Sequence, residues 1–133
     1  MIKFTIPGEP KAKQRPRVTK QGIAYTPKQT IEYENWVKQC YLSEFGQTML
    51  EGEVKATIKA YFGIPKSTSK KKRKSMLNGE IRPTKKPDTD NIAKAVLDSL
   101  NGIAYKDDSA VVTLEVYKYF DEKPRVEVIL CEI

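Results

Sequence analysis

The chain contains no histidine. That removes the Ser-His-Asp and Cys-His nucleophile systems and every zinc site that needs imidazole. Two cysteines, Cys40 and Cys131, cannot supply a four-thiolate zinc site either. They lie far apart in apolar-periodic segments, which predicts reduced core residues rather than a disulfide. No apolar run approaches the roughly 18 residues that a membrane span requires. The opening Met1-Ile2-Lys3-Phe4-Thr5-Ile6 lacks the apolar stretch of a signal peptide, so export is not expected. Any catalysis must use carboxylates, lysines, tyrosines or a metal held by oxygen.

What is abundant is charge. In 133 residues, 31% are charged and 39% apolar, which suits one soluble domain with a single core. Lysine and arginine number 24 against 17 acidic residues, giving a formal charge of +7. Such a balance points to a polyanionic partner, though it does not by itself separate nucleic acid from no acidic partner.

Ile2 to Ile6 alternates apolar and polar residues and predicts a strand. Pro7-Gly8-Glu9-Pro10 breaks it, and Lys11 to Arg17 follows as a basic loop stiffened by Pro10 and Pro16. Ile23-Ala24-Tyr25 reads as a short strand. Thr26-Pro27 predicts a helix start, and the helix covers about 28 to 45 before Gly46. Ile31, Trp36, Val37, Cys40 and Tyr41 are available for its apolar face. Glu53 to Phe62 alternates like a half-buried strand. Ser67 or Ser69 then caps a short basic helix ending at Asn78-Gly79. Ala110 to Phe120 and Arg125 to Ile133 predict two strands joined by a tight turn. The expected class is α+β: a mixed sheet with a C-terminal antiparallel hairpin packed by helices.

Against the basic background, residues 86–108, KPDTDNIAKAVLDSLNGIAYKDD, hold five aspartates. Placed on a helix at about 100° per residue, Ile92, Ala93, Val96, Leu97 and Leu100 fall within an arc of about 140°. Asp90, Asn91, Lys94 and Asp98 occupy the opposite arc. Structural roles account for each acid singly. Asp88 or Asp90 would cap the helix, Asp90 would pair with Lys94, and Asp107-Asp108 would form a turn. The basic run Lys70-Lys71-Lys72-Arg73-Lys74 likewise reads first as a solvated face, and second as a phosphate-contacting arm. Taken together the acids suggest more. Carboxylates delivered by a helix start and a strand start can converge on one cation, and oxygen donors without imidazole or thiolate select Mg²⁺ or Mn²⁺. Such a cation amid lysines and arginines suits phosphodiester hydrolysis.

The segment KPDTDNIAKAVLDSLNGIAYKDDSAVV resembles the signature of the RusA family of Holliday-junction resolvases. That signature reads D-x-D-N-x-x-K, then a leucine-bearing helix, then D-D. GEPKAKQRPRVT and GIAYTP resemble the N-terminal part of many members, so the likeness spans most of the chain. It implies one RusA-like endonuclease domain over 1–133, a homodimer that nicks four-way or other branched DNA with Mg²⁺, and a role in DNA recombination and repair. By position it implies Asp88, Asp90 and Asp108 as metal ligands and catalytic residues, with Lys94 as the essential lysine and Asp107 in support. DNA contacts are expected from Lys13, Arg15, Arg17, Lys70, Lys71, Lys72, Arg73, Lys85 and Lys86. A bacterial or prophage origin and a cytoplasmic location go with the likeness, and no membrane partner is expected. The competing expectation is a non-catalytic basic nucleic-acid-binding module whose aspartates only cap and balance charge.

Overall fold

A computed structural model describes residues 1–133, and its elements follow the expected order. Strand β1 (Ile2–Pro7) leads to a small ribbon of β2 (Arg17–Val18) and β3 (Ala24–Tyr25). Helix α1 (Lys28–Phe45), strand β4 (Val54–Gly63), helix α2 (Lys70–Leu77) and helix α3 (Thr89–Ser99) come next. A 3₁₀ turn at Asp108–Ala110 precedes strands β5 (Val111–Asp121) and β6 (Arg125–Glu132).

Four strands form one sheet in the order β1-β6-β4-β5. β4 pairs in parallel with β5 and antiparallel with β6, and β6 pairs antiparallel with β1. The sheet is mixed and the class is α+β, as expected. The two C-terminal strands run antiparallel through the turn Glu122–Pro124, also as expected, but β4 lies between them. Strands two places apart are separated by roughly 10 Å, a gap that three extended residues can cross at about 3.3 Å each. The length of the turn therefore cannot distinguish a paired hairpin from this split one.

Period-two burial explains the sheet's faces. Val54, Ala56, Ile58, Ala60 and Phe62 are buried on β4, and Val126, Val128 and Leu130 on β6. Their alternating neighbours Lys55, Thr57, Lys59 and Tyr61 face the other way, where the short helix α2 reaches Lys59 and Tyr61. α1 packs on β1 and α3, while α3 reaches β5. Ile92, Ala93, Val96, Leu97 and Leu100 are all buried, so the expected apolar arc is the one that packs. The result is a single cluster of 22 buried residues, and no second core exists for another domain.

Two helix details differ from expectation. α1 starts at Lys28 and Pro27, not Thr26, occupies the cap position, with its carbonyl accepting from Thr30 N. Its buried stripe is Thr30, Tyr33, Val37 and Tyr41, while Ile31 and Trp36 are exposed. The buried four follow i, i+3, i+4 spacing, and two polar-tipped tyrosines supply bulk that the more apolar residues appeared to offer. Cys40 and Cys131 are free, as expected, but only half-buried rather than in the core. Ser69 is the cap of α2, accepting from Lys72 N at 3.3 Å.

Leu100, fully buried at the end of α3, fixes that helix on the sheet. Leu100→Ala should lower unfolding stability by about 2–5 kcal/mol, the usual cost of a buried leucine truncation. Urea denaturation measures it; a loss within error of zero would mean that the end of α3 does not depend on this anchor.

Candidate active site on helix α3

The polar face of α3 carries Asp90, Lys94 and Asp98 at intervals of four residues, one turn apart. Asp88 stands at the N-cap position with extended backbone, but its side chain makes no capping bond. Asp90 and Lys94 are exposed and take part in none of the six ion pairs of the chain. The structural roles that would have used up these side chains, a cap and an ion pair, are therefore not filled. Asp88, Asp90 and Lys94 all point into solvent without protein partners.

The far end of the same face is occupied differently. Asp98 accepts from Lys13 Nζ at 2.7 Å, with both side chains about four-fifths to three-quarters buried (19% and 25% exposed). Lys13, for which a DNA contact is expected, ties the basic loop to α3. Its ammonium pKa is raised, first by the bond to Asp98.

Asp107 and Asp108 separate in role. Asp107 caps the 3₁₀ turn, accepting from Ser109 N at 3.0 Å, and the Ser109 side chain first, then this backbone bond, hold its carboxyl below the usual range. Asp108 lies half-buried on the turn itself, just ahead of β5 rather than on a strand start. Its backbone N–H donates to Asn101 Oδ1 at 2.8 Å. Burial raises the Asp108 pKa, helped by a hydrogen bond shared with Asp98 and by the charge of Asp107. Beneath this turn, Tyr105 is fully buried and donates to Leu97 O at 2.5 Å, which fastens the acidic loop to α3. Burial drives the Tyr105 phenol pKa upward.

Asp98 and Asn101 were not expected at the site. The signal for Asp98 was present in the Asp90-Lys94-Asp98 repeat, which puts all three on one helix face. Its ion pair with Lys13, 85 residues away in sequence, had no local trace.

The donor set suits a hard divalent cation, since every candidate ligand is a carboxylate and several like charges crowd one corner. No three carboxylates or cysteines, however, converge closely enough to hold a metal ion. The structure brings Asp108 to Asp98, and leaves Asp88 and Asp90 at the other end of the helix face.

The basic residues are spread over three places. Arg15 and Arg17 are exposed on the loop and on β2. Lys70, Lys71 and Lys72 are exposed on α2, whereas Arg73 turns toward Glu122 at 3.7 Å. Lys85 and Lys86 are exposed just before Asp88. The Lys85 carbonyl accepts from Lys118 Nζ at 2.6 Å, holding this approach to the edge of β5.

Removing Lys13 would leave the Asp98–Asp108 corner without its cation. Lys13→Met should destabilise the fold by about 1–3 kcal/mol, the range for a hydrogen bond to a charged group. The double variant Lys13→Met/Asp98→Asn should lose less than the two single losses added together. Additive losses in chemical denaturation would show that the pair contributes nothing as a pair.

Comparison with known proteins agrees with the chemistry of this face. A family model described as endodeoxyribonuclease RusA matches residues 7–130, nearly the whole chain. An uncharacterized protein of Bacillus subtilis (strain 168), YqaN, is 42% identical over 137 residues, covering 99% of this chain and 96% of that relative. The matched span includes the basic loop, α3 with its acidic face, the 3₁₀ turn and nearly all of the sheet, and on that basis the chain belongs to the RusA family of endodeoxyribonucleases.

Proposed function

We propose that this protein is a Mg²⁺-dependent nuclease that resolves four-way DNA junctions by paired nicks, as a symmetric homodimer, in DNA recombination and repair. The observation that carries the proposal is the polar face of α3. Asp88, Asp90 and Lys94 are left without protein partners at one end of that face, and a half-buried Asp108 meets its other end at Asp98, within a chain of net charge +7.

The RusA signature would give the metal to Asp88, Asp90 and Asp108, which the chain by itself does not bring together, with Mn²⁺ serving as well as Mg²⁺ on ligand chemistry. When bound, such an ion supplies Lewis-acid polarisation of the scissile phosphate and activation of water. The protein's own groups supply the rest. Lys94, one turn beyond Asp90 and free of ion pairs, offsets negative charge that builds on the phosphate. The Asn101 and Tyr105 hydrogen bonds hold the Asp108 turn against α3. Lys13 limits repulsion between Asp98 and Asp108 while the site is empty of substrate. Arg15, Arg17, Lys70, Lys71, Lys72, Lys85 and Lys86 are exposed and supply backbone contacts that position DNA without reading its sequence.

Asp90→Asn keeps the side chain's size and removes its charge. It should reduce Mg²⁺-dependent cleavage of a labelled four-way junction by at least about a hundredfold while leaving binding in a chelator unchanged, as expected for loss of a metal ligand. Near-normal cutting by this variant would remove Asp90 from the chemistry. A parent protein that binds the junction but never cuts it would leave a non-catalytic binding module.

Two symmetric nicks require two sites related by a two-fold axis, which a C₂ dimer provides. Ile31 and Leu42 lie eleven residues apart on one face of α1, and both are exposed, 46% and 42%. They offer a better pairing surface than Trp36, whose indole N–H donates to the Pro7 carbonyl at 2.9 Å. Light scattering should give twice the 15.2 kDa mass of the chain. A single-chain mass both free and bound to a junction would exclude paired nicking.

A further inference from the structure

A cleft of about 580 Å³ opens directly beside Asp88, between the basic loop, the first turns of α1 and the approach to α3. Its size lies within the range of small-molecule sites, and eight of its eleven lining residues are polar or charged. Side-chain amides are concentrated there: Gln14 and Gln29 on one wall, Asn91 on the other, with Lys11 and Lys86 and the carboxylates Glu32 and Asp88 also at the cleft.

The two glutamines are organised. Gln14 Nε2 donates to Gln29 Oε1 at 3.1 Å, and the Gln14 backbone N–H donates to the buried Thr30 hydroxyl at 3.2 Å. These bonds fix the loop wall on α1. They use one N–H of Gln14 and the carbonyl of Gln29, leaving the Gln14 carbonyl and the Gln29 amide N–H groups to face a ligand. An acceptor and a donor held side by side is the pattern that reads the edge of a nucleobase. Asn91 makes no side-chain hydrogen bond and adds a second amide from the opposite wall.

We propose that this cleft receives one unpaired nucleobase next to the scissile phosphate and reads its edge through Gln14 and Gln29. The inference rests on the nuclease reading above. It adds a base-specific contact to a surface otherwise made of phosphate-binding cations. The nucleotide's phosphate lies toward Lys86 and Asp88, its base between the amides. A paired base cannot present its Watson–Crick edge to the cleft, and extruding one from intact duplex costs a few kcal/mol. Bases at a branch point are already partly unstacked and avoid much of that cost. One cleft would thus favour both branched DNA and particular bases at the cut.

The test uses full-length protein and a set of four-way junctions that differ only in the bases flanking the branch point. The parent should cut these junctions at rates differing by roughly tenfold or more, the discrimination expected of one bidentate base contact. Gln14→Leu, Gln29→Leu and the double variant, each checked for an unchanged melting temperature, should bring the rates within about twofold to threefold of one another while retaining Mg²⁺-dependent cutting. A parent indifferent to the flanking base, or variants that keep the parent's hierarchy, would overturn the cleft.

A second arm needs no cleavage. With 2-aminopurine at the flanking position and a chelator present, parent protein should change its fluorescence, and the Gln29→Leu variant should do so much less. Equal signals from the two proteins would overturn the base cleft even if cutting proceeds. A glutamine-dependent signal without any cutting in Mg²⁺ would keep the cleft and remove the nuclease.

Discussion

Lys13 and Asp98 meet at 2.7 Å, and much of the site's form depends on that contact. It brings a loop from the start of the chain onto a helix near its end. Without it, Asp98 and Asp108 would face each other with no cation between them, and the basic loop would have no charged anchor on α3. Because the loop is held there, its Gln14 reaches α1 and one wall of the cleft beside Asp88 takes shape. One ion pair thus shapes both the acidic corner and the polar cleft.

The two ends of α3 show how electrostatics divides equivalent residues. At the N-terminal end, carboxylates stand near the positive end of the helix dipole, which favours their charge without using their oxygens. Asp88 and Asp90 therefore remain free of protein partners. At the C-terminal end, Asp98 and Asp108 are partly buried: Asp98 takes the Lys13 cation, and burial followed by the neighbouring carboxylates raises the Asp108 pKa. The same residue type is a free donor in one place and a crowded, cation-seeking group in the other.

The face of the sheet away from α1 and α3 follows another logic. Tyr61 stacks on Tyr119 and Tyr119 on Tyr117, with Arg125 and Arg82 lying over the first two rings. Arg125 is itself paired with Asp121 and Glu127. Cross-strand aromatic and cation–π contacts of this kind stiffen the sheet on the face where only the short helix α2 packs. Rigidity there matters because the Asp108 turn enters the edge strand β5 directly.

Sequence alone determined the class, the approximate place of nearly every element and the acidic face of α3. Those features are written in short-range periodicity: alternation in the strands, a 3.6-residue repeat in Ile92 to Leu100, and the i, i+4 series Asp90-Lys94-Asp98. It did not reveal that β4 separates β5 from β6, since a three-residue turn fits both arrangements. Nor did it reveal that Lys13 serves Asp98, that Asp107 is spent on capping a turn, or that Gln14 meets Gln29. Each depends on contacts between side chains distant in sequence, or on competition among neighbouring groups for one hydrogen bond. Residue type sets which partners are chemically acceptable; only the packed chain chooses among them, because burial and distance determine which charges must be paired and which stay free.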